Sequence, residues 1–150
     1  MKQTKFYALM PILFLAIILT TTAACKRGSP SSPTITMKAY FEAIRKKDAE
    51  GFKKTLSKGS LETLENSAKQ KSTTLDAAIK AGLNDPALAA NAASTPEMRN
   101  EKINGDAATL EVKNDQTNSW ESIPFVKENN EWKIALDQAM REAQQSSGPQ

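Results

Sequence analysis

Three side chains in this 150-residue chain have types and surroundings that could do chemistry: Cys25, Tyr40 and Asp48. Cys25 is the single cysteine and follows the small pair Ala23-Ala24, so its thiol has no internal partner. Tyr40 falls on the apolar face of a predicted helix, where its hydroxyl would donate a hydrogen bond inside a pocket or sit at the rim of a core. Asp48 would be a general base if an apolar pocket raised its pKa, but its place between two predicted helices reads as a helix cap. No second polar residue is spaced to pair with either group, so no catalytic residue is assigned. The chain has no His, which removes imidazole acid–base chemistry, His metal ligands and every Ser-His or Cys-His nucleophile pair. One Cys makes neither an internal disulfide nor a multi-Cys zinc site, and no metal or cofactor is expected. Tyr40, Phe41, Phe52, Trp120, Phe125 and Trp132 are all the aromatic residues beyond position 24. They would line a hydrophobic ligand pocket, or else fill the core of a domain this size. Trp120, after Asn118-Ser119 near a strand start, is expected to be partly exposed.

The chain carries 20 basic and 17 acidic residues, a net charge of +3. Without residues 1–24, whose only charges are Lys2 and Lys5, this falls to +1. That balance gives no support for nucleic-acid binding. Charge is polarised along the chain, at +4 over residues 38–80 and −5 over residues 85–142. A basic helical half and an acidic half would turn the domain toward anionic headgroups or favour antiparallel pairing of two copies, although solvated helix faces explain the lysines equally well.

The first 25 residues have the layout of an address. Lys2 and Lys5 precede an uncharged apolar run over residues 6–19, and Thr20-Thr21-Thr22-Ala23-Ala24 leads to Cys25. A basic start, a short apolar core and small residues before a cleavage point are the three parts of a secretory signal peptide. With Cys25 at the cut, the segment resembles a bacterial lipoprotein signal. That resemblance implies diacylglycerol on the Cys25 thiol, cleavage between Ala24 and Cys25, and acylation of the new amino group. Thr22 departs from the large aliphatic residue usual at its position. An ordinary signal peptide cut at Ala24, or an uncleaved anchor over residues 6–24, are the competing readings. Under the lipoprotein reading the acyl chains on Cys25 hold the protein on a membrane of the cell envelope. Lys26, where Asp would favour inner-membrane retention, leans toward the outer membrane, facing the periplasm, in a Gram-negative host. Residues 25–32, including Lys26-Arg27-Gly28-Ser29-Pro30, read as a flexible polar tether.

The remaining chain reads as helices first and sheet second. Ser32-Pro33 is a cap followed by proline at the first helical position, and Met37, Tyr40, Phe41 and Ile44 recur at helix spacing. Asp48 caps a second helix bearing Ala49, Phe52 and Leu56 that ends near Gly59. Ser60 would cap a third, with Leu61, Leu64 and Ala68 inward. Thr74 caps a fourth, stopped by Gly82, and Asp85-Pro86 opens a short alanine-rich turn. Beyond Pro96 the period becomes two. A plausible strand over residues 98–103 leads to Asn104-Gly105-Asp106, a hairpin signal, before Ala108, Leu110 and Val112 alternate with polar residues. A β-rich run over 120–127 turns at Asn129-Asn130 into Trp132, Ile134 and Leu136, with Pro124 marking an edge, bulge or bend. Residues 139–145 form a polar C-terminal helix, and 146–150 a disordered tail. The expected class is α+β, with N-terminal helices packed on a curved antiparallel sheet of about four strands.

The helix over residues 33–48, the run Ile103-Asn104-Gly105-Asp106-Ala107-Ala108-Thr109-Leu110-Glu111-Val112, and Lys127-Glu128-Asn129-Asn130-Glu131-Trp132-Lys133-Ile134 together carry a resemblance. The domain over residues 33–145 resembles the nuclear-transport-factor-2-like (cystatin-like α+β) superfamily, and within it a bacterial lipoprotein family of unassigned function. Its hallmark is a last hairpin leading into Trp-Lys-aliphatic. Residues 73–95 are longer than the usual connection. The resemblance implies a sheet wrapped around the first helix, leaving a cone-shaped pocket, and a homodimer through the exposed sheet face near Glu111 and Lys113. It implies a lipid-anchored domain that binds a small hydrophobic ligand or another protein without catalysis. The alternative is an isomerase- or hydratase-like enzyme using Tyr40 with an unidentified carboxylate.

Overall fold

The computed structural model describes residues 31–146. The signal-peptide and lipidation assignments, the tether as far as Pro30 and the tail beyond Ser146 lie outside the described residues. Helix α1 (Pro33–Lys46) starts where the Ser32 hydroxyl accepts the Ile35 N–H and Pro33 takes the first helical position. It stops at Lys47, whose left-handed backbone (φ 53°) turns its N–H back to Ala43 and Ile44 carbonyls. Asp48 then caps α2 (Ala49–Thr55) by accepting the Gly51 N–H at 2.9 Å. A Cβ at residue 51 would collide with that carboxylate, so the cap requires glycine there.

Helix α2 ends four residues before Gly59. The cause is tertiary: Leu56 swings into extended backbone and bridges Ile134 in parallel, while the Ser57 N–H donates to the Ile134 carbonyl at 3.0 Å. Helix α3 (Lys58–Gln70) is accordingly capped by Ser57, not Ser60. Gly59 lies inside its first turn, where a Cβ would stand 2.9 Å from Asp137 Oδ2. Helix α4 (Leu75–Leu83) begins at its Thr74 cap and runs through Gly82, and α5 (Pro86–Asn91) is capped by Asp85.

The sheet is an antiparallel meander in the order β1 (Met98–Asn104), β2 (Ala107–Asn114), β3 (Ser119–Glu128), β4 (Glu131–Ile134). Its hairpins turn where the sequence places residues tolerant of positive φ: Gly105 at 61°, and Asn129 and Asn130 at 52° and 64°. Asn100 (φ 52°) forms a bulge in β1 between the pairs Arg99–Glu111 and Lys102–Thr109. Pro124 lies in register opposite Thr109 within the interior strand β3. Because Lys127 donates to Asp106 across β2, the alternation aims the polar groups of residue 124 toward β4. Its carbonyl accepts Ala135 N–H at 2.9 Å, and its missing N–H falls past the end of β4, where no ladder bond is forfeited. Leu136 leaves the strand alternation expected of it and opens α6 (Leu136–Ser146), because its N–H donates to Ser60 Oγ at 2.8 Å.

Among the described residues the fold is therefore α+β, five helices preceding a four-stranded antiparallel sheet and a sixth closing it. One sheet face, with Leu110, Val112, Phe125, Trp132 and Ile134, packs on Met37, Ile44, Phe52 and Leu56. Each such fully buried side chain contributes about 1.5–3 kcal/mol. The residues of this cluster, from Met37 to Ile134, all follow Lys26 in the chain.

Candidate functional site

Helix α1 crosses the inner sheet face without filling it. Between them lies an open-mouthed cavity of about 260 Å³. Met37, Tyr40 and Phe41 form its helical wall, one turn apart on α1; Val112, Ile123 and Ile134 form its sheet floor, and Leu136 closes the back. The rim is polar: Asn91 ends α5 and Ser94 follows it, while Asn114 ends β2 and Asp115 and Gln116 lie in the β2–β3 turn. Asn91 Oδ1 accepts the Gln116 side-chain amide, joining the two rim segments. Asn114 shapes its turn by accepting the Gln116 N–H at 3.0 Å, and its own amide donates to Glu121 at 2.7 Å. On the other side, Arg45 holds the segment after α5 against α1, donating to the Ala92 carbonyl at 3.4 Å and to Thr95 Oγ1 at 3.2 Å.

Tyr40 is the one ionisable side chain in the apolar wall. Its ring meets Phe41 edge-on (5.5 Å between centroids, 87°) and lies tilted against Phe52 (5.2 Å, 36°). Burial pushes its phenol pKa above the ordinary value, so the hydroxyl stays protonated near neutrality and is a donor. Among the described residues that hydroxyl makes no hydrogen bond within the protein, and because no buried side-chain polar atom lacks a partner, its oxygen is open to solvent at the cavity. An apolar wall, a polar rim and one unspent donor suit an amphipathic small molecule with an acceptor oxygen.

The six aromatic residues do not converge on this cavity. Tyr40 and Phe41 line it, and Phe52 stands behind Tyr40 in the core. Phe125, 1% exposed, is spent entirely on the core. Trp132 is buried beneath the Lys127 ammonium, 5.6 Å from its ring, and its backbone N–H donates to Ser31 Oγ at 3.0 Å. Trp120 is half-buried and lies on the opposite sheet face, because it pairs with Lys113 while the inward positions of β2 are 108, 110 and 112. There the Arg99 guanidinium covers its ring at 3.8 Å and also donates to Glu111 at 2.7 Å. Hydrogen bonds from Arg99 and Asn100 hold the Glu111 carboxyl below the usual carboxylate range. Asp48 is exposed, caps α2 and borders a different groove, between the α1–α2 corner and the β3–β4 turn.

Sequence reasoning missed a buried polar knot. Ser57 and Ser60, 2% and 0% exposed, share a hydroxyl hydrogen bond of 2.7 Å. Both hydroxyls also reach Asp137 Oδ1, at 3.3 and 3.1 Å, and Arg141 pairs with Asp137 Oδ2 at 2.8 Å. Desolvation works against the Asp137 charge, but hydrogen bonds from Ser60, Arg141 and Ser57 outweigh it and keep the pKa below the ordinary value. A pair of serines beside a carboxylate invites a nucleophile assignment. The burial of both serines makes it a staple instead, holding the starts of α3 and α6 against the end of β4. The sequence placed the cap at Ser60 rather than Ser57, and nothing local announced Asp137 as a partner of either.

Among the described residues no group of three or more His, Cys, Asp or Glu could hold a metal ion, and no helix is long and apolar enough to cross a membrane. Fold and cavity define the class: an α+β domain with a ligand-sized cleft between its first helix and its sheet. No protein-family model, curated protein or solved structure matches the chain.

Proposed function

We propose that this is a lipid-anchored cell-envelope protein whose domain, of the nuclear-transport-factor-2-like, cone-shaped type, binds a small amphipathic ligand in the α1–sheet cavity without transforming it. The observation that carries the binding reading is the protonated Tyr40 hydroxyl, unpaired among the described residues and open to solvent at an otherwise apolar wall of a cavity of about 260 Å³. The rim carboxylate nearest in chemistry to a general base, Glu121, is exposed and already accepts the Asn114 amide. That arrangement favours binding over the isomerase- or hydratase-like alternative. The anchoring half rests on the basic, apolar and small-residue segments that precede Cys25. Attachment through acyl chains would hold the cavity at a membrane surface, with a homodimer through the outer sheet face near Glu111 and Lys113 as a further proposal.

Native mass spectrometry of residues 26–150, purified gently from the host's envelope fraction, tests the binding reading. A stoichiometric small-molecule adduct that Tyr40→Phe weakens is expected, and the same spectrum reports oligomeric state. A bare protein under conditions that preserve other adducts would overturn ligand binding and move the role to protein partners.

A further inference from the structure

A second cavity lies in the helical layer, away from Met37 and Phe41. It is a half-open crevice of about 240 Å³ enclosed by helices α2 to α6, with Phe52, Leu64, Ile79, Leu83 and Leu88 among its walls. Its chemistry is one-sided. Ser67 and Lys71 are the only polar side chains in the lining, and Ser67 already donates to the Thr63 carbonyl at 3.0 Å. That leaves the Lys71 ammonium, exposed at the end of α3 and in no ion pair among the described residues.

Gly82 is the second observation. It is exposed, next to last in α4, and borders the crevice, and a Cβ built there meets nothing within 4 Å. Its φ is not positive and no neighbour approaches it, so neither backbone conformation nor packing asks for glycine. An absent side chain beside an apolar crevice with one free cation keeps room open for an occupant.

We infer that this crevice binds a single-chain alkyl carboxylate, with the hydrocarbon among the α2–α6 side chains and the carboxylate at Lys71. The volume of about 240 Å³ equals about eight liquid-water volumes of ~30 Å³ each, room for one medium-length chain. The absence of any other unspent polar side chain in the lining excludes a sugar-like or multiply charged ligand, whose groups would be buried unpaired. This site shares Leu136 alone with the lining of the α1–sheet cavity and stands or falls without it.

Titration of methyl-labelled protein (residues 26–150) with decanoate, alongside decyltrimethylammonium, tests the assignment. Decanoate should saturate at one equivalent, shift the Leu64, Ile79 and Leu88 methyls, and leave Met37 and Ile123 in place. Lys71→Glu should weaken decanoate severalfold and favour the ammonium amphiphile. Gly82→Leu should block both while leaving the thermal midpoint no lower, and Ala78→Leu serves as a second filling variant. Equal binding of the two amphiphiles by the unaltered protein, undiminished binding by both filled variants, or shifts confined to Met37 and Ile123 would each overturn the inference.

Discussion

Replacing Ser60 with alanine removes a hydroxyl that serves four neighbours. Ser60 Oγ accepts the Leu136 N–H at 2.8 Å, donates toward the Ile134 carbonyl at 3.0 Å and Asp137 Oδ1 at 3.1 Å, and shares its hydrogen bond with Ser57 at 2.7 Å. One O–H cannot satisfy three acceptors at once, so the net loss is not four bonds. The Leu136 N–H, however, has no alternative acceptor among the described residues and is left in a part-buried site. An unsatisfied buried group costs about 1–3 kcal/mol, and a hydrogen bond to a charged carboxylate a further ~1.5 kcal/mol or more. The side chain is 0% exposed, so water does not readily replace either partner. Ser60→Ala should therefore destabilise the domain by about 2.5–4.5 kcal/mol, a large share of the ~5–15 kcal/mol available to a domain of this kind. Urea unfolding followed by tryptophan fluorescence reads this as a lowered midpoint at unchanged slope. Leu136 also backs the ligand cavity, so any adduct should be lost in parallel. A loss under about 0.5 kcal/mol, within the range of ordinary surface substitutions, would refute the staple.

Other outcomes follow from the same geometry. The folded pKa of Asp137 is lowered, so its stabilisation is complete above the unfolded carboxylate pKa of about 3.9 and disappears as pH falls through the folded value. Asp137→Asn should flatten that acid limb in urea titrations taken at successive pH values; an unchanged limb would place the linkage elsewhere. Asp48→Ala should cost about 0.5–2 kcal/mol through loss of the α2 cap, with no change in ligand retention, as thermal melts and mass spectra of the same preparation would show. Arg99→Ala should uncover the half-buried Trp120 ring and red-shift tryptophan emission at a cost of about 0.5–1 kcal/mol; unaltered emission would contradict the stacked geometry. Cys25→Ala should abolish acyl-lipid labelling and leave precursor unprocessed, whereas normal processing with membrane retention would end the lipoprotein proposal.

Much of the fold was written locally. Ser32, Asp48, Thr74 and Asp85 cap their helices through bonds to backbone N–H groups two or three residues away. Signals of that range survive in a sequence window, as do the glycine and asparagine turns and the alternation of Ala108, Leu110 and Val112. The early end of α2, the cap at Ser57 and the turn of Leu136 into α6 were not legible in this way. Each depends on Ile134 or Ser60 meeting a residue about 80 positions distant, where no local pattern records the partner.

The candidate site divides along the same line. Tyr40 and Phe41 were readable as one face of α1, because a helix repeat places residues three and four apart together. Their company was not: Val112, Ile123 and Leu136 arrive from three later elements, while Trp120 was turned to the far sheet face by the register of β3 on β2. A strand's two faces differ by a single position, so alternation identifies a face without saying which one the core covers. By itself the sequence determined the order of the elements, their caps and turns, and the absence of imidazole chemistry. Packing alone decided which aromatic residues meet, which serines are buried, and where space is left, because a cavity is a property of surfaces brought together from distant parts of the chain.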